Sequence, residues 1–145
     1  MRTLALDLGA RRIGVAVSDS DGTVATPVTV LQRTGDRPRD HRAVAALIAD
    51  HEAADLVVGL PLSLDGGRGP AALAVLQECG ELALVVDVAI HTHDERMTTV
   101  TAERILTEQR LDGRARRKVV DMVAASIILQ DWLDRRDQLR QRGEA

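Results

Sequence analysis

Three acidic residues stand where an ordinary surface carboxylate would not. Asp7 interrupts the apolar run Leu4-Ala5-Leu6-Asp7-Leu8, where an unpaired buried carboxylate carries a heavy desolvation cost. It needs a cation, a metal or hydrogen-bond donors; the amides of the following Gly9–Arg12 turn would serve as well as an ion. Glu95 follows a run whose alternation puts His91, His93 and Glu95 on one face, at the carboxyl end of a strand, where open α/β sheets gather ligands. The plainer explanation is a helix-flanking acid: Asp94 and Glu95 precede a helical stretch from about Thr98, and negative charge is favoured at that end of a helix. Asp121 shares a helical face with Ala125, Ile128 and Trp132, so it points toward apolar surroundings, although a helix start near Lys118 offers it the same dipole explanation. Three such acids that can converge make a set of hard oxygen ligands suited to Mg²⁺ or Mn²⁺. Two such ions can clamp the attacking and leaving oxygens of an in-line phosphodiester displacement.

Basic residues that could hold phosphate lie around these acids. Arg11 and Arg12 sit in the loop after Asp7, and Arg114, Arg116, Arg117 and Lys118 face a single nearby acid, Asp112. For the second cluster, a solvated linker between helices is the commoner meaning of such a run. His91 and His93 stay outside the site, because strand histidines are usually satisfied by hydrogen bonds. Cys79 has no basic neighbour to lower its pKa and reads as packing. Being the only cysteine, it cannot form an internal disulfide, which fits a reducing cytoplasm. The net charge of −3 excludes a whole-molecule attraction to nucleic acid, and of 19 basic residues only Lys118 is a lysine. Arginine forks suit bidentate phosphate contacts, though genome composition favours arginine equally well. With Trp132 the only Phe, Tyr or Trp residue, binding that relies on stacking bases on aromatic platforms is not expected.

The elements that position these residues follow from the hydrophobic periodicity. Short strand-like runs cover Thr3–Leu8 and Ile13–Ser18, and Asp21-Gly22 turns into a third over Thr23–Leu31, giving an antiparallel meander. A helix is predicted over Arg39–His51, a buried parallel strand over Ala54–Leu60, and a flexible loop over Asp65–Pro70. A helix over Ala71–Cys79, a strand over Leu82–His93, a helix over Thr98–Gln109 and a last helix over Lys118–Arg140 complete the chain. This is an α/β arrangement: a mixed five-stranded sheet, three strands antiparallel and two parallel, flanked by helices. One domain is expected over 1–138, with a polar tail over 139–145. No apolar run is long enough to span a bilayer and Asp7 breaks the N-terminal one, so a cytoplasmic protein with no membrane partner is expected.

Four segments carry a family resemblance. They are Leu6-Asp7-Leu8-Gly9 with Arg11–Asp19, Val57–Leu62, Asp94–Thr99 with Ala102-Glu103, and Val119-Val120-Asp121 with Ala124-Ala125 and Ile128-Leu129-Gln130. In this order, over almost the whole chain, they resemble the bacterial YqgF or RuvX-like pre-16S ribosomal RNA nucleases. The resemblance implies a ribonuclease H-like fold, a cytoplasmic home and a role in 5′-end maturation of 16S ribosomal RNA. It also implies catalytic, metal-holding carboxylates at Asp7, Glu95 and Asp121, with RNA as partner and ribosomal precursor particles allowed. Two details depart from the family pattern: Gly67-Arg68 replaces the usual threonine of the loop, and Met97 stands where leucine is common. The rival readings are a Holliday-junction resolvase on branched DNA, which should act as a dimer; a nucleotide-binding fragment of the actin, Hsp70 and sugar-kinase fold, for which the chain is too short; and a non-catalytic RNA-binding ribosome-assembly factor.

Overall fold

The structure, a computed structural model, describes residues 1–98 and 113–143; the side chains of 97–98 and 113–122 lie outside that description. The chain runs β1 (Arg2–Leu8), β2 (Arg12–Ser18), β3 (Ala25–Gln32), α1 (Arg37–Asp50), β4 (Ala53–Leu60), α2 (Pro70–Leu82), β5 (Ala89–Asp94), a short 3₁₀ turn (Glu95–Thr98) and α3 (Gly113–Gln141). The strands form one five-stranded sheet in the order β3-β2-β1-β4-β5. The first three pair antiparallel, while β4 and β5 run parallel to β1. The expected mixed sheet is therefore present.

Both faces of the central strands are buried, which is why β1 and β4 read as nearly continuous apolar runs. Alternation divides their side chains between two cores. Leu4, Leu6, Ile13, Val15, Leu56, Val58 and Leu60 meet Val44 and Ile48 of α1 and Ala72, Val75 and Leu82 of α2. On the other face the sheet offers Ala5, Ala16 and Val57 to Ala125, Ile128, Leu129 and Leu133 of α3. The small residues on that face let a helix approach the sheet closely. Asp7, two residues beyond Ala5, belongs to the α3 face by the same alternation.

Local signals fix the helix starts. Asp36 caps α1 by accepting a hydrogen bond from the Arg39 amide at 3.1 Å, an interaction typically worth about 1 kcal/mol. Pro70 opens α2, where its missing N–H costs nothing. A buried ionic network ties α1, α2 and the β1–β2 turn together. Arg33 donates Nε to the Gly9 carbonyl at 2.7 Å and its fork to both Glu78 oxygens at 2.9 Å, while His41 Nε2 donates to Glu78 at 2.7 Å. Burial works to raise the Glu78 carboxyl, but the Arg33 and His41 hydrogen bonds and the nearby arginine charges hold it below its ordinary value.

Three boundaries differ from expectation. Residues from Leu82 do not begin a strand: Leu82 ends α2 in the core, Leu84 and Val85 are exposed, and β5 starts only at Ala89. Gly113 opens α3 instead of separating it from a linker, so 114–118 are helical. At its other end α3 runs through Gln141, one residue beyond the expected Arg140. The helix expected over Thr98–Gln109 lies outside the described residues, apart from Thr98 at the end of the 3₁₀ turn.

Candidate active site

The carboxyl ends of β1, β4 and β5 lie side by side and parallel, and each delivers a residue to the α3 face. Asp7 pairs with Gly14 on β2, and Gly59 lies one step beyond the Leu6–Val58 pair on β4. The aspartate is thus flanked on its own face by residues without side chains. Gly59 in turn pairs with His93, and Glu95 follows two residues later at the start of the 3₁₀ turn.

The space over Gly59 is taken by the Glu95 side chain. A Cβ added to Gly59 would lie 2.5 Å from Glu95 Oε1, 3.0 Å from its Cγ and 2.6 Å from Ile128 Cδ1. Only glycine fits there, and its absence of side chain lets Glu95 fold back against α3 and reach Asp7. Glu95 is pushed up to about 7, by burial first, then by the Asp7 charge, a hydrogen bond with Asp7 and the Asp94 charge. Two carboxyls in contact, partly removed from water, share more negative charge than their surroundings tolerate. Hard oxygen donors in that condition fit a small divalent cation.

The simpler explanation for Glu95, a helix-flanking acid, suits its neighbour instead. Asp94 accepts hydrogen bonds from the Arg96 side chain at 2.6 and 3.0 Å and from its amide at 3.0 Å, and these hold it below its ordinary value. Arg96 also donates to the Leu64 carbonyl at 3.1 Å, tying the 61–69 loop to the rim of the site.

Position 121 lies in α3 eight residues past Gly113, one turn before buried Ala125 and two before Ile128. The dipole explanation for Asp121 therefore fails, because that effect is confined to the first turn. The Asp121 side chain lies outside the described residues, as do those of Arg114, Arg116, Arg117 and Lys118, whose positions occupy the opening turns of the same helix. Among the described residues no three His, Cys, Asp or Glu side chains form a metal-holding group. The described part of the site is the Asp7–Glu95 pair.

Arg11 and Arg12 are exposed at the start of β2. Arg11 lines a cavity of about 500 Å³ with Gln32, Arg33, Arg37 and Asp40. Cys79 is half-buried beside the core and its thiol is pushed up to about 11 by burial and the Glu78 charge, which makes it inert packing as expected. His91 and His93 share the α3 face with Glu95, as their alternation requires. His91 lies with its ring centroid 5.5 Å from that of Trp132, and His93 Nε2 donates to Asp131 at 2.6 Å. Sequence reasoning missed Asp131, because nothing local marks a bond between residues 38 positions apart.

Comparison with known proteins shows the family and the fold. A "Putative pre-16S rRNA nuclease" from Roseiflexus sp. (strain RS-1) is 46% identical over 92% of this chain and 94% of its own length. One of the same description from Myxococcus xanthus (strain DK1622) is 45% identical over 92% and 88%. Among solved structures, Thermus thermophilus RuvC in complex with a Holliday junction substrate superposes with a TM-score of 0.59 at 13% identity, covering 100% of this chain and 98% of RuvC. That likeness shows a RuvC-like, ribonuclease H-like fold. The model of the RuvX family, described as Holliday junction resolvase, matches residues 1–135, and the chain belongs to that family.

Proposed function

We propose that this chain is a divalent-metal-dependent nuclease that cleaves a phosphodiester bond in the 5′ maturation of pre-16S ribosomal RNA. The observation that carries the reading is the Asp7–Glu95 contact over Gly59, at the carboxyl ends of three parallel strands. Asp7, Glu95 and Asp121 would hold Mg²⁺ or Mn²⁺, most simply as two ions. Bound there, the metal would supply an activated water and charge neutralisation at the transferring phosphate. The chain's own part is to hold the two carboxyls close together, to keep side-chain bulk off the floor by way of Gly14 and Gly59, and to seat the substrate. Arg11 and Arg12, and Arg114, Arg116, Arg117 and Lys118 ahead of Asp121, would grip backbone phosphates. The RNA substrate is supported by the names of relatives at 46% and 45% identity over most of both chains.

A second reading, cleavage of branched DNA, is favoured by the family's description and by the RuvC-like fold. Incubating the purified protein with single-stranded RNA extending past the 16S 5′ end, duplex RNA and a four-way DNA junction, with Mn²⁺ or with EDTA, separates the two. Metal-dependent cutting of the RNA supports the first reading. Cutting confined to the junction supports the second, and binding without cutting of any substrate refutes both.

A further inference from the structure

The seam between β5 and α3 is made of successive rungs. His91 packs against Trp132 with its ring tilted by 39°, and the indole also carries the Arg136 guanidinium 5.0 Å from its centroid. Two residues on, His93 Nε2 meets Asp131 Oδ2 at 2.6 Å, a bond in which the carboxylate can only accept. The Arg135 Nε donates to the same oxygen at 2.8 Å, one helical turn further along. The next rung is Glu95 itself, folded over Gly59 against Ile128. As the strand advances from 91 to 95, its partners on the helix step back from 132 to 128. Continuing in that direction leads up α3 to position 121.

From this we infer that His93 and Asp131 are positioning residues for the metal-holding carboxylates: their bond fixes the strand that carries Glu95 against the helix that carries Asp121. The inference rests on the metal-nuclease reading of the site. Among the described residues this is the one side-chain hydrogen bond that joins β5 to α3. On the α3 face the sheet contributes mostly alanine, valine and glycine, which allow sliding as readily as they allow close approach. A hydrogen bond does not slide. Both partners are well buried, with side chains 9% and 16% exposed, so the bond is charge-assisted and largely sheltered from water. Arg135 donates to the same carboxylate oxygen and helps keep it turned toward His93. Glu95 is two residues from this anchor, and a metal site tolerates only a few tenths of an ångström of play in its ligands.

The test measures Mn²⁺ affinity by calorimetry on folded protein, with kcat and KM on the RNA substrate beside it. His93→Leu removes the donor and keeps the bulk, and should weaken Mn²⁺ binding roughly 10- to 100-fold, the usual cost of losing a group that orients a ligand. At limiting metal kcat should fall with it, while KM for RNA stays level. His93→Gln places an amide nitrogen where Nε2 stands and should bring the Mn²⁺ Kd back to within about threefold of wild type. A purely structural role would lower the melting temperature without changing Kd in the folded fraction and would show no such rescue. If His93→Leu does not fold, Asp131→Asn keeps the shape without the charge-assisted bond and should weaken Mn²⁺ binding roughly tenfold. Unchanged Kd in these variants, or a glutamine variant as weak as the leucine one, overturns the inference. A wild-type protein that binds no Mn²⁺ overturns the metal-nuclease reading and the inference with it.

Discussion

Replacing Glu95 by glutamine should make the metal-free protein more stable, and only above a definite pH. The Glu95 carboxyl rises from its ordinary 4.5 to about 7 in the fold, through burial first and the Asp7 charge second. A carboxyl with a raised folded pKa binds its proton more tightly folded than unfolded. Its favourable contribution is thus whole below about pH 4.5 and is lost as pH climbs through about 7. At roughly 1.4 kcal/mol per pH unit, the span from 4.5 to about 7 gives a ceiling of about 3 kcal/mol. Because Glu95 is only partly buried, screening should leave between about 1 and 3 kcal/mol. Near 2–4 °C per kcal/mol for a domain of this size, Glu95→Gln in EDTA should melt about 2–12 °C above wild type at about pH 8. At about pH 4.5 the two should melt together. Differential scanning fluorimetry across that range reads the difference directly, with shared titrations cancelling between variant and parent. Adding Mn²⁺ at about pH 8 should raise the wild-type melting temperature and close the gap. A difference that is flat with pH, or a variant less stable than wild type at about pH 8, refutes the account of a crowded carboxylate pair.

Gly59→Ala should drive Glu95 off the sheet, since the new methyl would stand 2.5 Å from Oε1. Overpacking should cost about 1–3 kcal/mol in urea unfolding, and cleavage should be lost while RNA binding survives. Arg33→Ala should cost about 3 kcal/mol in the same assay, near the low end for a broken buried pair because His41 and Arg37 still face Glu78. Arg116→Ala with Arg117→Ala should weaken binding equally for unrelated RNA sequences. It should also flatten the log–log salt dependence by roughly 0.7 for each single-strand phosphate no longer held, measured by fluorescence anisotropy.

The meander and the first parallel strand were legible because the central strands are buried on both faces and so read as short apolar runs bounded by turn residues. The stretch after Cys79 misled for a definite reason. Leu82-Ala83-Leu84-Val85-Val86 is apolar enough for a strand, but Leu82 continues the helical spacing of Ala72 and Val75 and is claimed by the α2 core. Gly113 misled as a helix breaker, although the helix begins there. Of the site, Asp7 was legible from a charge within an apolar run and Glu95 from alternation at a strand's carboxyl end, and the structure brings them together. The contacts that build around them were not. The glycine that makes room for Glu95 reads as one more small residue, and the pairs Arg33–Glu78 and His93–Asp131 span 45 and 38 positions. Such partners become visible only when the sheet order is known.

The central claim is that Asp7, Glu95 and Asp121 together hold the ions that cut the substrate. It is tested most directly by following a 5′-extended 16S RNA fragment on a denaturing gel with wild type, Asp7→Asn, Glu95→Gln and Asp121→Asn, each in Mn²⁺, Ca²⁺ and EDTA. Wild type should cut with Mn²⁺, poorly with Ca²⁺, whose looser coordination misplaces the attacking water, and not at all in EDTA. Each variant should stay folded and lose more than the roughly 10- to 100-fold expected for a group outside the ligand set. Cleavage that persists in EDTA would contradict the metal mechanism, and near-wild-type cutting by any one variant would remove its residue from the site.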